Sequence, residues 1–299
     1  MVLRELVFVG IAGCVAACGG GSPAGPSSTG DPCGDDGGTV APGASCVTSV
    51  RGTVVDAEHT PLGALAVSVC GNVCWYGESD ATGAFAVQVG ARIVPDQFST
   101  LVHGRPTRTT FYWQLPSTAT GKVDVGQLLA LDLPADGAPL VVKTDKQGAP
   151  AQTVTHGDVT LDVPAGVSVK LDVEDVALGT QGKLFRALAV PAELRDRFAD
   201  PSLGLVSLHA LTPFEAALVK GTGGDSTTAR LSITNVAGLS AGTAVEFLAL
   251  GSYLFPEWVK PAAFEPVSTG TVSNDGSTVD MDPGQGVSHL TWVGVRKKP

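Results

Sequence analysis

Charge is the first thing this chain is short of. Asp, Glu, Lys and Arg make up 16% of its 299 residues, against about 25% in ordinary soluble proteins. Basic residues cluster only at Arg296-Lys297-Lys298 and the net charge is −10, so nucleic acid is not an expected partner. Aromatic residues amount to 6%, and a folded core consumes most of so few. Long helical patterns are missing, and so are long apolar runs. The stretch Leu6 to Ala17 is uncharged and mostly apolar but ends at Gly19-Gly20-Gly21, well short of the ~20 residues a membrane span requires. Histidines with a glutamate three residues on are absent, which removes one common metal-site spacing.

What is present points to β structure. The chain is 43% apolar, with 38 glycines and 20 prolines. Short strands separated by many turns are the physical meaning of that mixture. The expected class is all-β, with two β-sandwich domains after a signal peptide and a flexible tether.

Met1 to Glu5 carry the early charges, the apolar run follows, and Val15-Ala16-Ala17-Cys18 closes it. This reads as an export signal over residues 1–17. Its end resembles the bacterial lipobox, in which an aliphatic and two small residues precede a cysteine that is lipidated. The resemblance implies Cys18 as lipidation site and mature N-terminus, held to a membrane by several acyl chains. Ile11-Ala12-Gly13-Cys14 is a second match, but too short an apolar stretch precedes it. Gly19 after the cysteine, rather than aspartate, implies by the family's sorting rule the outer membrane of a bacterial cell envelope.

Residues 18–47 follow as a Gly/Ser/Pro-rich tether that buries too little apolar surface to order itself. With Cys14 removed and Cys18 lipidated, Cys33, Cys46, Cys70 and Cys74 remain. Four cysteines allow three connectivities. Local pairing is expected, Cys33–Cys46 and Cys70–Cys74, the latter only if Gly71-Asn72-Val73 forms a hairpin loop. Fully extended, the Cys70 and Cys74 Cα atoms would lie ~13 Å apart, beyond disulfide reach. Zinc is disfavoured, since the spacing lacks paired C-x2-C knuckles and the compartment is oxidising. No cofactor or metal is expected.

From Val47 the composition turns to strands. Gly52-Thr53-Val54-Val55-Asp56, Thr60-Pro61-Leu62-Gly63-Ala64, Val67-Ser68-Val69 and Ser79-Asp80-Ala81-Thr82-Gly83-Ala84-Phe85 together resemble the carboxypeptidase regulatory-like domain. That resemblance implies a transthyretin-like sandwich over 48–132 that folds and binds but does not catalyse. Within it, Asp80 can cap a turn, Gly83 take positive φ and Phe85 re-enter the core. Residues 133–299 carry Gly157 to Gly166, Ala237 to Thr243, Val245 to Leu250, Trp258, Asn274-Asp275-Gly276 and Ser288-His289-Leu290-Thr291, an order that resembles ZU5-like surface sandwiches. Only Pro191 to Ala199 has a helical look.

Three constellations carry chemistry in principle. Gly238-Leu239-Ser240-Ala241-Gly242 spells G-x-S-x-G, but a strand-like segment follows it where the nucleophile elbow needs a helix. His289-Leu290-Thr291 resembles the self-cleavage tripeptide of adhesion-receptor autoproteolysis domains, with Thr291 attacking the Leu290 carbonyl and His289 as base. Asp280-Met281-Asp282 and Asp31 with Asp35-Asp36 lack the calcium-loop spacing. Trp75, Trp113, Trp258 and Trp292, with Tyr253 and Phe255, are the candidate sugar-stacking residues. The expectation is therefore no catalytic residue: a membrane-tethered binding, adhesion or structural module facing an envelope protein or polysaccharide. The alternatives are cleavage at Leu290–Thr291 and a serine hydrolase using Ser240.

Overall fold

Alternation of β-branched and small residues dictates strands along nearly the whole folded region. The computed structural model describes residues 33–34, 40–142, 149–221 and 226–299. Cys18, the expected signal segment, most of the expected tether and the acidic residues Asp31, Asp35 and Asp36 lie outside them. In the first half the strands are β1 (Ser45–Val55), β2 (Ala66–Cys70), β3 (Cys74–Glu78), β4 (Ala84–Ile93), β5 (Ser99–His103), β6 (Phe111–Gln114) and β7 (Gly121–Leu129). They form two sheets, ordered β4-β1-β7 and β3-β2-β5-β6. The β1–β7 pair is parallel and the other pairs are antiparallel. Val47, Val50, Val54, Val67, Val69, Phe85, Val87 and Val102 fill the space between the sheets.

The turn before β4 shows how local chemistry sets this fold. Asp80 Oδ1 accepts from the Thr82 and Ala84 amides and from the Thr82 hydroxyl. Gly83 has φ +74°, and a Cβ there would sit 2.5 Å from the Val54 carbonyl oxygen. Only glycine fits, and Phe85 then turns inward at 4% exposure.

The second half comprises β8 (Ala138–Pro139), β9 (Gln152–His156), β10 (Val159–Val163), β11 (Val167–Lys170), β12 (Leu184–Ala189), β13 (Leu205–Thr212), β14 (Ala217–Lys220), β15 (Arg230–Thr234), β16 (Ala244–Leu250), β17 (Phe264–Val272), β18 (Thr278–Met281) and β19 (Trp292–Lys297). Ten of these make one sheet, ordered β8-β12-β13-β19-β16-β17-β18-β15-β10-β9, while β11 and β14 pair separately. The long sheet curls into a near-barrel. His156 Nδ1 at the end of β9 accepts from the Ala187 amide of β12 at 3.1 Å. Asp158, in the following turn, meets His209 of β13 at 2.8 Å. Inside are Leu161, Phe185, Leu211, Leu218, Leu231, Phe247, Met281 and Leu290. Pro191 to Ala199 holds a 3-10 turn, Ala192–Arg197, and a one-turn helix α1 spans Val173–Ala177. Among the described residues no helix is long and apolar enough to cross a membrane.

A third apolar cluster joins the halves. Val55, Leu101, Phe111, Tyr112, Leu129 and Leu131 pack with Phe198, Leu208, Phe214, Leu250 and Trp292. Phe111 meets the Trp292 ring edge-on at 4.8 Å and Phe198 at 5.2 Å. Trp292 is wholly buried, and its Nε1 donates to the Thr110 carbonyl at 2.7 Å. Trp113 is half-buried against Phe111 and Phe198. The seam thus has the anatomy of a protein core and takes up several of the aromatics weighed as sugar platforms.

Trp292→Ala is expected to lower unfolding free energy by about 3–5 kcal/mol. Urea denaturation followed by circular dichroism measures it, and a loss below about 1 kcal/mol would show that the seam does not support the fold.

Candidate functional site

Above the aromatic seam lies a buried polar network built from loops of both halves. Its centre is Arg105, whose side chain is 6% exposed. Nη1 donates to Asp172 at 2.7 Å and to Asp175 at 3.2 Å; Nη2 donates to Glu215 at 3.4 Å. Nε stands 3.6 Å from Glu174, and the guanidinium lies 5.4 Å from the centre of the Phe214 ring. One cation from the first half therefore holds four carboxylates of the second.

Local sequence explains how these carboxylates arrive together. Asp172 caps α1 by accepting from the Val173 amide, which places Asp172, Glu174 and Asp175 on consecutive corners of one turn. Gly182 lets the next segment press against that turn, since a Cβ there would come within 1.9 Å of the Asp175 carbonyl oxygen. Glu215 sits at φ +66°, rare for a residue with a side chain, and its amide is tied to the Leu290 carbonyl at 2.7 Å. Its carboxylate accepts from Tyr112 Oη at 2.5 Å and from the Ser252 hydroxyl.

The electrostatics follow from burial. Desolvation pushes the Asp175 carboxyl up to about 7 against the pull of Arg105, with Asp172, Glu174 and Glu215 adding repulsion. Burial raises Glu215 as well, despite hydrogen bonds from Ser252 and Tyr112. Glu174 goes the other way, because His103 hydrogen-bonds its charged form. Burial alone would depress Arg105, but the carboxylates around it, Asp175 first, leave it firmly protonated.

A relay leaves this hub. Glu174 Oε1 lies 3.0 Å from His103 Nδ1, and His103 Nε2 lies 2.9 Å from Ser68 Oγ. An ionised carboxylate only accepts, so Nδ1 carries a hydrogen and Nε2 faces the Ser68 hydroxyl. Hydroxyl, imidazole and carboxylate follow the order of a catalytic triad. Ser68, however, is 0% exposed in the middle of β2, so its hydroxyl faces no substrate space.

The sequence-derived candidates lie elsewhere. Cys33 and Cys46 are joined, with Cα atoms 5.7 Å apart, and Cys70 and Cys74 are joined at 4.2 Å across the Gly71-Asn72-Val73 loop. Ser240 is exposed on the loop after β15, and the strand β16 follows it, so no elbow forms there. His289 Nδ1 bonds Ser288 Oγ at 2.9 Å, and Thr291 Oγ1 donates to the Leu250 carbonyl at 3.1 Å. The two groups that self-cleavage would couple are each engaged elsewhere. His289 is packed against Phe255 and Trp258, with ring centres 3.7 and 4.9 Å away, and burial pushes it down to about 4 although Glu257 opposes this. Asp280 and Asp282 are occupied by the hydroxyls of Ser232, Thr278, Thr269 and Thr271. Among the described residues no group of three or more His, Cys, Asp or Glu is arranged to hold a metal ion.

Among the described residues a groove is large enough for a ligand. It measures about 480 Å³, and Asn72, Val73, Trp75, Ile93, Gln97 and Phe98 are among its lining residues, beside Cys33 and Gly34. No protein-family model matches the chain, and no curated protein matches it.

Asp175 sets a pH test whose sign is fixed. Its folded value is about 7 against 3.8 unfolded, so the native state binds the extra proton and stability falls as pH rises through that window. His289 acts oppositely over an overlapping range, because the unfolded ring protonates first as pH falls. The difference between two proteins isolates the carboxyl. Asp175→Asn is expected to gain steadily on wild-type Tm as pH rises from about 4 to about 7, the window between the unfolded and folded values. A difference that stays constant, or shrinks on the alkaline side, would contradict the burial argument.

Proposed function

We propose that this chain is a lipid-anchored lipoprotein of the bacterial cell envelope, held at the outer membrane through Cys18, that works by binding or spacing and not by catalysis. The observation that carries the reading is the leader, an apolar run closed by Val15-Ala16-Ala17-Cys18. The two disulfides support it, because such bonds persist in oxidising compartments outside the cytosol. Cys33–Cys46 joins the end of the proposed tether to β1.

In this reading the first half acts as a carboxypeptidase regulatory-like module and the second as a ZU5-like surface sandwich. The Asp80-to-Phe85 turn and the two-sheet packing support the former. The groove is lined by Trp75 and Phe98, with Asn72 and Gln97 among its polar residues. That chemistry suits an envelope polysaccharide or an extended protein segment, since ligand sites of this size combine apolar walls with a few polar groups.

Feeding cells a fatty-acid analogue tests the anchor. Label is expected on the wild-type protein in the membrane fraction, and Cys18→Ala is expected to lose both label and membrane retention. Label that persists in the variant, or a wild-type protein free of lipid, would overturn the proposal.

A further inference from the structure

The polar relay does not end at Ser68. Ser68 Oγ lies 3.4 Å from Cys70 Sγ, so a continuous line runs from Glu174 through His103 and Ser68 to one sulfur of the Cys70–Cys74 disulfide. The two sulfurs have unequal settings. Cys70 is 6% exposed, whereas Cys74 is exposed at the start of β3. An exposed cysteine bonded to a buried sulfur that is wired to an ionisable pair is an arrangement that a purely structural staple does not require.

We propose that Cys70–Cys74 is a thiol–disulfide exchange centre, opened at Cys74 by a dithiol partner and assisted at Cys70 by Ser68, His103 and Glu174. The attacking thiolate forms a new S–S bond with Cys74 Sγ. The Cys70–Cys74 bond breaks, and its electron pair leaves on Cys70 as thiolate. The partner's second thiol then attacks its own sulfur in the mixed disulfide and releases Cys74. The dithiol is oxidised and the protein's disulfide reduced, two electrons in all.

The relay has two hydrogen-bond states. With neutral His103, Nε2 accepts from the Ser68 hydroxyl, and that proton points away from sulfur. With protonated His103, Nε2 donates to Ser68 Oγ and the Ser68 proton turns to Cys70 Sγ. The second state stabilises charge on the leaving sulfur, and a better leaving thiolate speeds exchange. Glu174 keeps Nδ1–H in place in both. The other groups facing His103 are Tyr76 on β3, 6.3 Å ring to ring, and Arg105, which shares Glu174. Ser68, His103 and Glu174 are positioning residues here, and the sulfurs are the reacting atoms.

The test treats the full chain with dithiothreitol as the dithiol probe, quenches with an alkylating reagent and locates opened cysteines by peptide mass spectrometry. Cys33–Cys46 in the same molecule is the internal reference, so the ionisation of the reagent cancels in the ratio of the two rates. Cys70–Cys74 is expected to open about tenfold faster than the reference. Because exposure of Cys74 alone also accelerates opening, the variants decide. Ser68→Ala and His103→Gln are expected to cut the ratio severalfold while Ser68→Thr restores it. Circular dichroism confirms folding, and Glu174→Gln, on a half-exposed residue, serves if a buried variant fails to fold. A ratio near one, or a ratio untouched by these variants, would overturn the assignment.

Discussion

Arg105 is the constraint on which the arrangement of the two halves depends. A guanidinium taken out of water is costly unless its donors and its charge are matched. Here the matching groups all come from the other half: Asp172, Glu174 and Asp175 around α1, and Glu215 between β13 and β14. Separating the halves would strand a cation on one side and four crowded carboxylates on the other. The pair geometry thus selects one docking of the first sandwich on the near-barrel, and the apolar seam beneath supplies most of the favourable free energy. Charge sets the alignment; Phe111, Phe198 and Trp292 provide the adhesion.

That division of labour also explains why the network tolerates an excess of negative charge. Full ionisation of four carboxylates around one arginine would be unfavourable in a desolvated place. Burial and mutual repulsion raise Asp175, while Glu215 is held by the hydroxyls of Tyr112 and Ser252. The polar network is therefore held by hydrogen bonds to both Nη atoms of Arg105 and between Glu215, Tyr112 and Ser252, while Arg105 Nε is left with only the longer ion-pair contact to Glu174. His103 and Ser68 extend it into the first sandwich, linking α1 to β2.

Much of the fold was legible in the residues, for physical reasons that can be named. Asp80 to Phe85 is a local motif whose turn chemistry acts within six residues, so its hydrogen bonds follow from sequence. The hairpin at Gly71-Asn72-Val73 was legible because two cysteines can pair over that spacing in no extended form. The Arg105 network was not legible. Its members, from Ser68 to Ser252, lie far apart in the chain and carry no common spacing, and an isolated arginine looks like any surface cation. Helix α1 escaped notice for a different reason. It has only five residues, and Val173 and Val176 are exposed at 77% and 61%, which reverses the pattern by which an amphipathic helix is recognised. His289-Leu290-Thr291 had the right letters, but the partners of His289 and Thr291 are set by Ser288 and by β16, which the tripeptide alone does not specify.

Native-state hydrogen exchange on Arg105→Ala tests the central claim most directly. If Arg105 couples the halves, amides of β2 and β5 in the first sandwich and of β13 and β19 in the near-barrel lose protection together, each by more than about tenfold. Loss confined to α1 and its neighbouring loops, with both sheets unchanged, would contradict the account.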